Sequence, residues 1–478
     1  MIFTSFAYAA FLTVVVALNW LLPTKYRVTM LVVASYVFYA TWSIPAISIL
    51  AVITLITYGV GLAMTGAEGT KRTVLAAIGA GSAASSLLLF KVVAAFGFTS
   101  HGHHLPGVTS NFVIPVGLSF FSFQAISYVI DIYREEIEPS RSLIDVAAYL
   151  AFFPHLLAGP IVRAKKLIPA FHSTPRTPNM VQWSEAAELI VVGVFKKVAL
   201  ADPLFALNVD ALQSPHSAGT FNLFLSLATV LLGGYFDVTG YIDIARGSAK
   251  LLGIDMQRNA LMPLTASTGY ADFWRRWQLT VMMWFRDYIY RPLRGDGQSN
   301  SRETAALFGT FLFLGLWHGV STGWLAWGIV SGVIIVIERS LQTKRSAKRR
   351  AQTLAARKAR SRAALPKPPS KAAGLAIALL LVMATFPLVA ANSLQQIVDL
   401  YTTLLLPSWA PANWDLVAQG ILCVGALILV DSRERRRERQ AGKPDPVNPA
   451  RAAAFGLMVL AVVIYSGPAP RTFVYFHF

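Results

Sequence analysis

An all-α membrane protein that crosses the bilayer many times is what this sequence predicts, on three observations. Hydrophobic residues make up 55% of the 478, and the mean hydropathy is +0.53. Charged residues reach only 14%, against about 25% in an ordinary soluble chain, too few to clothe a soluble surface. Mainly apolar runs of about 17 residues or more recur along the chain, each long enough to cross a bilayer. A large soluble enzyme would not space its apolar residues in runs of that length.

The net charge of +18 raises nucleic-acid binding, but its distribution argues against that. Much of the excess sits in two tracts beside apolar runs, the pattern of cytoplasmic anchors on membrane lipids. The single cysteine, Cys423, leaves no intrachain disulfide and no thiolate cluster.

Met1–Leu22 reads as the first span, ended by Pro23 and followed by Lys25 and Arg27. That charge order is wrong for a cleaved signal peptide. A retained helix is expected, with its N-terminus outside and the next loop cytoplasmic. Further spans run from about Val28 to Trp42, from a break at Pro45 to about Met64, and from about Val74 to Phe98. His101, His103 and His104 follow in an external loop. No carboxylate or cysteine accompanies them, so no metal site is assigned.

The next span covers Asn111–Ile130, in which Gln124 reads as a hydrogen-bonding link between helices. Asp145–Ala158 is short and enters FFPHLLAGPIVR, where Pro154, Gly159 and Pro160 forbid one simple helix. A re-entrant or interfacial element is expected there, with His155 either lining a cavity or packing. Trp183–Leu200 carries Glu185, Glu188, Lys196 and Lys197 and reads as an interfacial amphipathic helix.

Apolar runs follow at Thr220–Gly234, from Thr304, and at Trp324–Ile337. A basic cytoplasmic loop, in part helical on the membrane surface, comes next. Ala372–Ala391 and Leu416–Val430 flank an external segment without lysine or arginine, and Arg451 opens the last span, which leaves the C-terminus external. The total is about eleven spans plus short inserted helices. The chain divides into a core at 1–340, a basic loop at 341–371, and C-terminal spans at 372–478 enclosing a second basic tract at 431–443.

Chemistry concentrates between Leu231 and Trp327. Asp237 and Tyr241 are four apart and can share a helix face, and Asp243 and Arg246 can pair. Polar links between helices are the competing reading for this group. From Gly269 to Gly295, Arg275, Arg276, Arg286 and Arg291 alternate with aromatic residues. This reads as a helix near the cytoplasmic interface. Its arginines are candidates for holding the phosphates of an acyl carrier such as coenzyme A, although Asp287 and Arg291 can simply pair. His318, in GLWHG, is the histidine set deepest in an apolar segment. A neutral imidazole can take a proton from a hydroxyl. Gly315 and Gly319 leave room beside it and Trp317 can wall a pocket. A packing histidine is the plain alternative.

In order along the chain, PVGLSFFSFQAISYVIDIYR, HLLAGPIVR, FDVTGYIDIARG, FWRRWQLTVMMWFRDYIYRPLRG and GLWHG resemble the membrane-bound O-acyltransferase family. The likeness is greatest to its bacterial branch that serves alginate O-acetylation. It covers roughly residues 1–340, and the remainder more loosely. It implies a ring of tilted helices around a tunnel through the bacterial cytoplasmic (inner) membrane, and it sets the family's histidine at His318. A second histidine, in the pattern RRWHxSL, falls on Gln278, because this chain reads RRWQLTV. Glutamine can orient a substrate but cannot act as a base. Catalysis is therefore expected of His318 and positioning of Gln278, with Asp237, Tyr241 and Trp317 as further positioning candidates.

The resemblance further implies acyl transfer from a cytoplasmic thioester, acetyl-coenzyme A above all, used as a co-substrate with no permanently bound cofactor. The donor is coenzyme A or an acyl-carrier protein. A periplasmic partner with an SGNH-hydrolase-like site would pass the group to a cell-surface or secreted polysaccharide. D-alanyl transfer to teichoic acid is the nearest alternative. A transporter or flippase that keeps the fold is the alternative from another class.

Overall fold

The computed structural model describes residues 1–97, 115–157, 159–173, 175, 177–259, 264–296, 299–358, 370–439 and 449–467. His101, His103 and His104 lie outside them. Among the described residues the regular structure is helical throughout. The chain opens with α1 (Phe6–Leu21), α2 (Thr24–Ala40), α3 (Ile44–Ala63) and α4 (Gly69–Gly97). Ser5 and Ser43 cap α1 and α3, accepting from the backbone N–H of Tyr8 and Ala46. Pro45 falls in the first turn of α3, where its missing N–H costs nothing, so the break there also opens the span expected to follow it.

Next come α5 (Leu118–Tyr133), α6 (Leu143–Ala151), α7 (Phe153–Leu156), α8 (Ala164–His172) and α9 (Met180–Phe195). The short α7, set off from α6 at Phe152, is the interrupted element expected from Pro154 and Gly159. A π-helical segment at Lys196–Ala201 leads into α10 (Asp202–Gln213). α11 (Pro215–Leu251) breaks at Gly219, φ 76°, and then runs on through the DVTGYIDIARG segment. α12 (Tyr270–Arg276), α13 (Leu279–Phe285), a second π-helical segment at Arg286–Tyr290 and α14 (Arg291–Arg294) are all short. α15 (Asn300–His318), α16 (Thr322–Lys358), α17 (Lys371–Ala390), α18 (Leu394–Leu405), α19 (Trp414–Arg439) and α20 (Pro449–Tyr465) complete the chain.

The chain is a multi-pass membrane protein, but the expected span count is corrected. Among the described residues, five helices are long and apolar enough to cross a membrane: α3, α4, α11, α16 and α17. The runs that suggested about eleven include shorter apolar helices such as Phe6–Leu21 and Leu118–Tyr133. A 16-residue helix is about 24 Å long, less than the roughly 30 Å hydrocarbon core. Hydropathy counts a run as continuous where the backbone turns.

Two compact units form. The first holds residues 1–207, 232–259 and 442–478, and the second holds 208–231 and 260–441. In the first, α3 and α4 pack on α5, and α2 packs on α6. α9 meets the second half of α11 backbone to backbone. A Cβ on Gly193 would lie 2.6 Å from the Gly240 carbonyl oxygen, so both positions need glycine.

In the second unit, α15 and α16 are joined by three residues and pack along each other as an antiparallel pair. Gly315 permits this, since a Cβ there would meet the Trp324 carbonyl oxygen at 2.5 Å. Elsewhere in that unit Leu223, Leu227, Ala391 and Leu400 form a buried cluster.

Candidate active site

His318 is the last residue of α15 and is 9% exposed. Its ring stacks on Trp324, centroids 4.4 Å apart and planes 12° apart. Trp317 lies 4.5 Å away and tilted, and Trp327 stands edge-on at 6.1 Å. Three indoles therefore hold one imidazole. The antiparallel pairing explains why: α15 ends at His318, and the first turns of α16 return with Trp324 and Trp327 beside it. Gly319 leaves space for the stack, since a Cβ there would meet the Trp324 ring at 2.6 Å. The sequence pointed to Trp317 as a wall. It did not single out Trp324 and Trp327, which are the larger part of the enclosure. Their spacing, six and nine residues beyond the histidine, was the available signal.

The RRWQ stretch is not the single helix expected of it. α12 stops at Arg276, Trp277 is extended, and Gln278 takes the left-handed conformation, φ 46° and ψ 50°. Gln278 is 8% exposed, and its carbonyl accepts from Met282 in the first turn of α13. On either side of this break, Trp274 packs 5.3 Å from Trp327, and Phe285 packs 6.0 Å from Trp317. The segment bearing Gln278 thus braces the rings around His318. A left-handed backbone costs an ordinary residue about 1–2 kcal/mol. Gln278→Val is expected to lower stability further, because a β-branched residue tolerates that backbone least. Thermal unfolding in detergent reads it.

The candidate donor-binding arginines are tied to two aspartates. Arg275 and Arg276 lie 3.7 and 3.2 Å from Asp272. Arg286 meets both carboxylate oxygens of Asp287, at 2.8 and 3.2 Å. Arg291 lies 3.3 Å from Asp287, the pairing the sequence allowed. Arg275, Arg286 and Arg291 keep at least half of each side chain exposed.

Burial pushes the Asp272 carboxyl up. The Thr268 backbone N–H and the Arg276 guanidinium outweigh it and hold the group below its ordinary value. A carboxyl depressed on folding adds stability above its unfolded value near 3.9, which is lost as pH falls through the lower folded value. Wild type is therefore expected to unfold at higher temperature than Asp272→Asn at neutral pH. The two midpoints should converge below about pH 4.

Asp237 and Tyr241 belong to the first unit, whereas His318 belongs to the second. Asp237 is fully buried, with Lys197 Nζ 2.6 Å from its carboxylate and that same ammonium 2.7 Å from Asp202. Lys196 reaches Asp243 at 2.6 Å, and Arg246 stands 3.8 Å from Asp243. Tyr241 stacks on Phe3 at 4.3 Å.

The lysines expected at a membrane interface are instead 4% and 2% exposed. The Gly193–Gly240 approach and the π-helical segment carry them against α11. Asp237 and Asp243, 40 and 47 residues further along the chain, gave no local signal. His155 and Gln124 are each 1% exposed, and the Gln124 amide donates to the His155 ring at 2.7 Å, which makes Gln124 the interhelical link expected of it.

Residues 34–365 match the family described as MBOAT, membrane-bound O-acyltransferase family. The chain is 36% identical over 345 residues to the probable alginate O-acetylase AlgI of Pseudomonas putida, 69% of each chain. It is 36% identical over 351 residues to the probable alginate O-acetylase AlgI of Pseudomonas aeruginosa, 69% of this chain and 64% of the relative. To the peptidoglycan O-acetyltransferase of Helicobacter pylori it is 27% identical over 339 residues, 65% of this chain and 64% of the relative. The chain thus spans slightly under two thirds of the length of the second and third of these.

Proposed function

The chain belongs to the membrane-bound O-acyltransferase family, acyl-transferring enzymes, and on that premise we propose that it moves an acetyl group from a cytoplasmic thioester toward a polysaccharide outside the cell. Acetyl-coenzyme A is the donor, and the membrane is the bacterial cytoplasmic one, with both chain termini on its outer side. His318 is the general base. One ring nitrogen takes the proton of the accepting hydroxyl, and the oxygen attacks the thioester carbonyl. The tetrahedral oxyanion collapses, the carbon–sulfur bond breaks, and the thiolate leaves as thiol with the proton returned by the imidazolium.

The observation that carries this reading is the setting of His318, a buried imidazole stacked 4.4 Å from Trp324 with two further indoles around it. An imidazolium over an indole face gains about 0.5–2 kcal/mol, at the moment the base becomes charged. Gln278, four residues after Trp274 and seven before Phe285, positions the acceptor. Arg275, Arg286 and Arg291 offer exposed guanidinium faces to the donor's phosphates.

A route for donor and acceptor to reach His318 from opposite sides of the membrane is part of this proposal. So is a periplasmic SGNH-hydrolase-like partner that completes delivery. The relatives named above act on alginate and on peptidoglycan, so the acceptor here is a surface glycan of unassigned chemistry. The test supplies labelled acetyl-coenzyme A to inverted membrane vesicles and follows label into glycan. Label in glycan with wild type, and none with a variant lacking the His318 nitrogens, is the expected result. Label delivered only from a D-alanyl carrier protein would overturn the acetyl assignment.

A further inference from the structure

We propose that the cytoplasmic ends of α15 and α16 bind one anionic membrane phospholipid, its chain in a groove between them and its phosphate on the basic turns of α16. The two helices border an open groove of about 530 Å³. Asn300, Ser301 and Thr304 give it a polar edge at the start of α15, and Phe308, Val333 and Ile337 give it an apolar wall. Val333 and Ile337 are 44% and 54% exposed on a helix apolar enough to span the membrane. Such a wall suits an acyl chain, and the polar edge suits the ester and glycerol region.

Beyond the groove, α16 continues without interruption to Lys358. Between Arg339 and Lys358 it carries eight lysines and arginines and no acidic residue. Lys344 and Lys348 stand seven and eleven residues past Ile337, which returns them to the groove's own face. Both are exposed. Arg339 stands at the junction, 2.9 Å from Glu303, so a phosphate there would share it with a carboxylate. The two lysines therefore carry the headgroup contact.

Length agrees with this placement. Measured from the start of α16 at Thr322, Lys344 and Lys348 stand about 33 and 39 Å along the helix, past a hydrocarbon core of roughly 30 Å and so at headgroup height. A free phosphate would leave the apolar wall unused, and a zwitterionic lipid would leave the cations unbalanced.

Native mass spectrometry of the full chain, offered equal phosphatidylglycerol and phosphatidylcholine, tests this. Phosphatidylglycerol is expected to be retained preferentially. Lys344→Ala/Lys348→Ala should weaken that retention by about fivefold for each lysine removed. Val333→Trp, at a half-exposed position that leaves packing intact, should weaken retention of both lipids by filling the groove. Glycerol phosphate at the same concentration should not displace the lipid. Equal retention of the two lipids by wild type would overturn the proposal. So would retention unchanged in either variant, or displacement by glycerol phosphate.

Discussion

His318→Phe is expected to abolish acyl transfer while leaving the fold intact. The phenyl ring can keep the stack on Trp324 and the contacts with Trp317 and Trp327. It loses both nitrogens, and with them any capacity to take or return a proton. A positioned acid–base group contributes about 10²–10⁴-fold to rate, so label incorporation should fall by that factor or more. Thermal unfolding of the same preparation should change little, which separates chemistry from packing better than His318→Ala, where a cavity would confuse the two. Activity surviving in His318→Phe would remove the general-base role and favour a transport protein that keeps the fold. Gln278→Ala should cost less, since the glutamine orients and does not ionise. A loss as deep as that of His318→Phe would reverse the ranking. Gln278→His is the informative partner experiment, because histidine is among the residues found more often in the left-handed region and restores the residue type of the related pattern.

The second large effect is structural. Lys197→Met should destabilise the protein by about 3–5 kcal/mol, because it strips the ammonium from between two carboxylates and leaves both in a buried site. Lys197 is 3% exposed, Asp237 0% and Asp202 15% on their side chains. Asp237→Asn should be milder, since Lys197 still meets Asp202 at 2.7 Å. Midpoints of thermal unfolding in detergent, taken alongside label incorporation, read both variants. If Asp237→Asn lost activity at unchanged stability, Asp237 would have the substrate-positioning role expected of it. An unperturbed midpoint in Lys197→Met would show that the buried charges are not needed to hold α9 and α11 together.

Helical content and membrane class were legible because each depends on local pattern: run length and charge scarcity. The pairing of Asp287 with Arg291 was legible for the same reason, being one helical turn apart. Lys196 and Lys197 were misplaced because an amphipathic run of 18 residues shows where lysines sit but not that Asp202, Asp237 and Asp243 come to meet them. The break at Gln278 was hidden because no glycine or proline marks it. A glutamine accepts the left-handed backbone there, and only the packing of Trp274 and Phe285 on either side makes that worthwhile. The span count failed through the same blindness to backbone turns. Trp324 and Trp327 went unremarked because tryptophan in an apolar segment ordinarily reads as interface anchoring. Only the α15–α16 turn shows that both face the imidazole.

α16 has one more consequence. A helix that continues from Thr322 to Lys358 with no break has no joint. Trp324 and Trp327, which hold the imidazole at one end, and Lys344 and Lys348, at the other, are parts of one rod. A tilt imposed on the basic end must swing the indoles as well, by an arc set only by where the rod is pivoted against α15 and α17. The plane of Trp324 over His318 is in that sense a pointer, and its angle reports the inclination of the whole shaft.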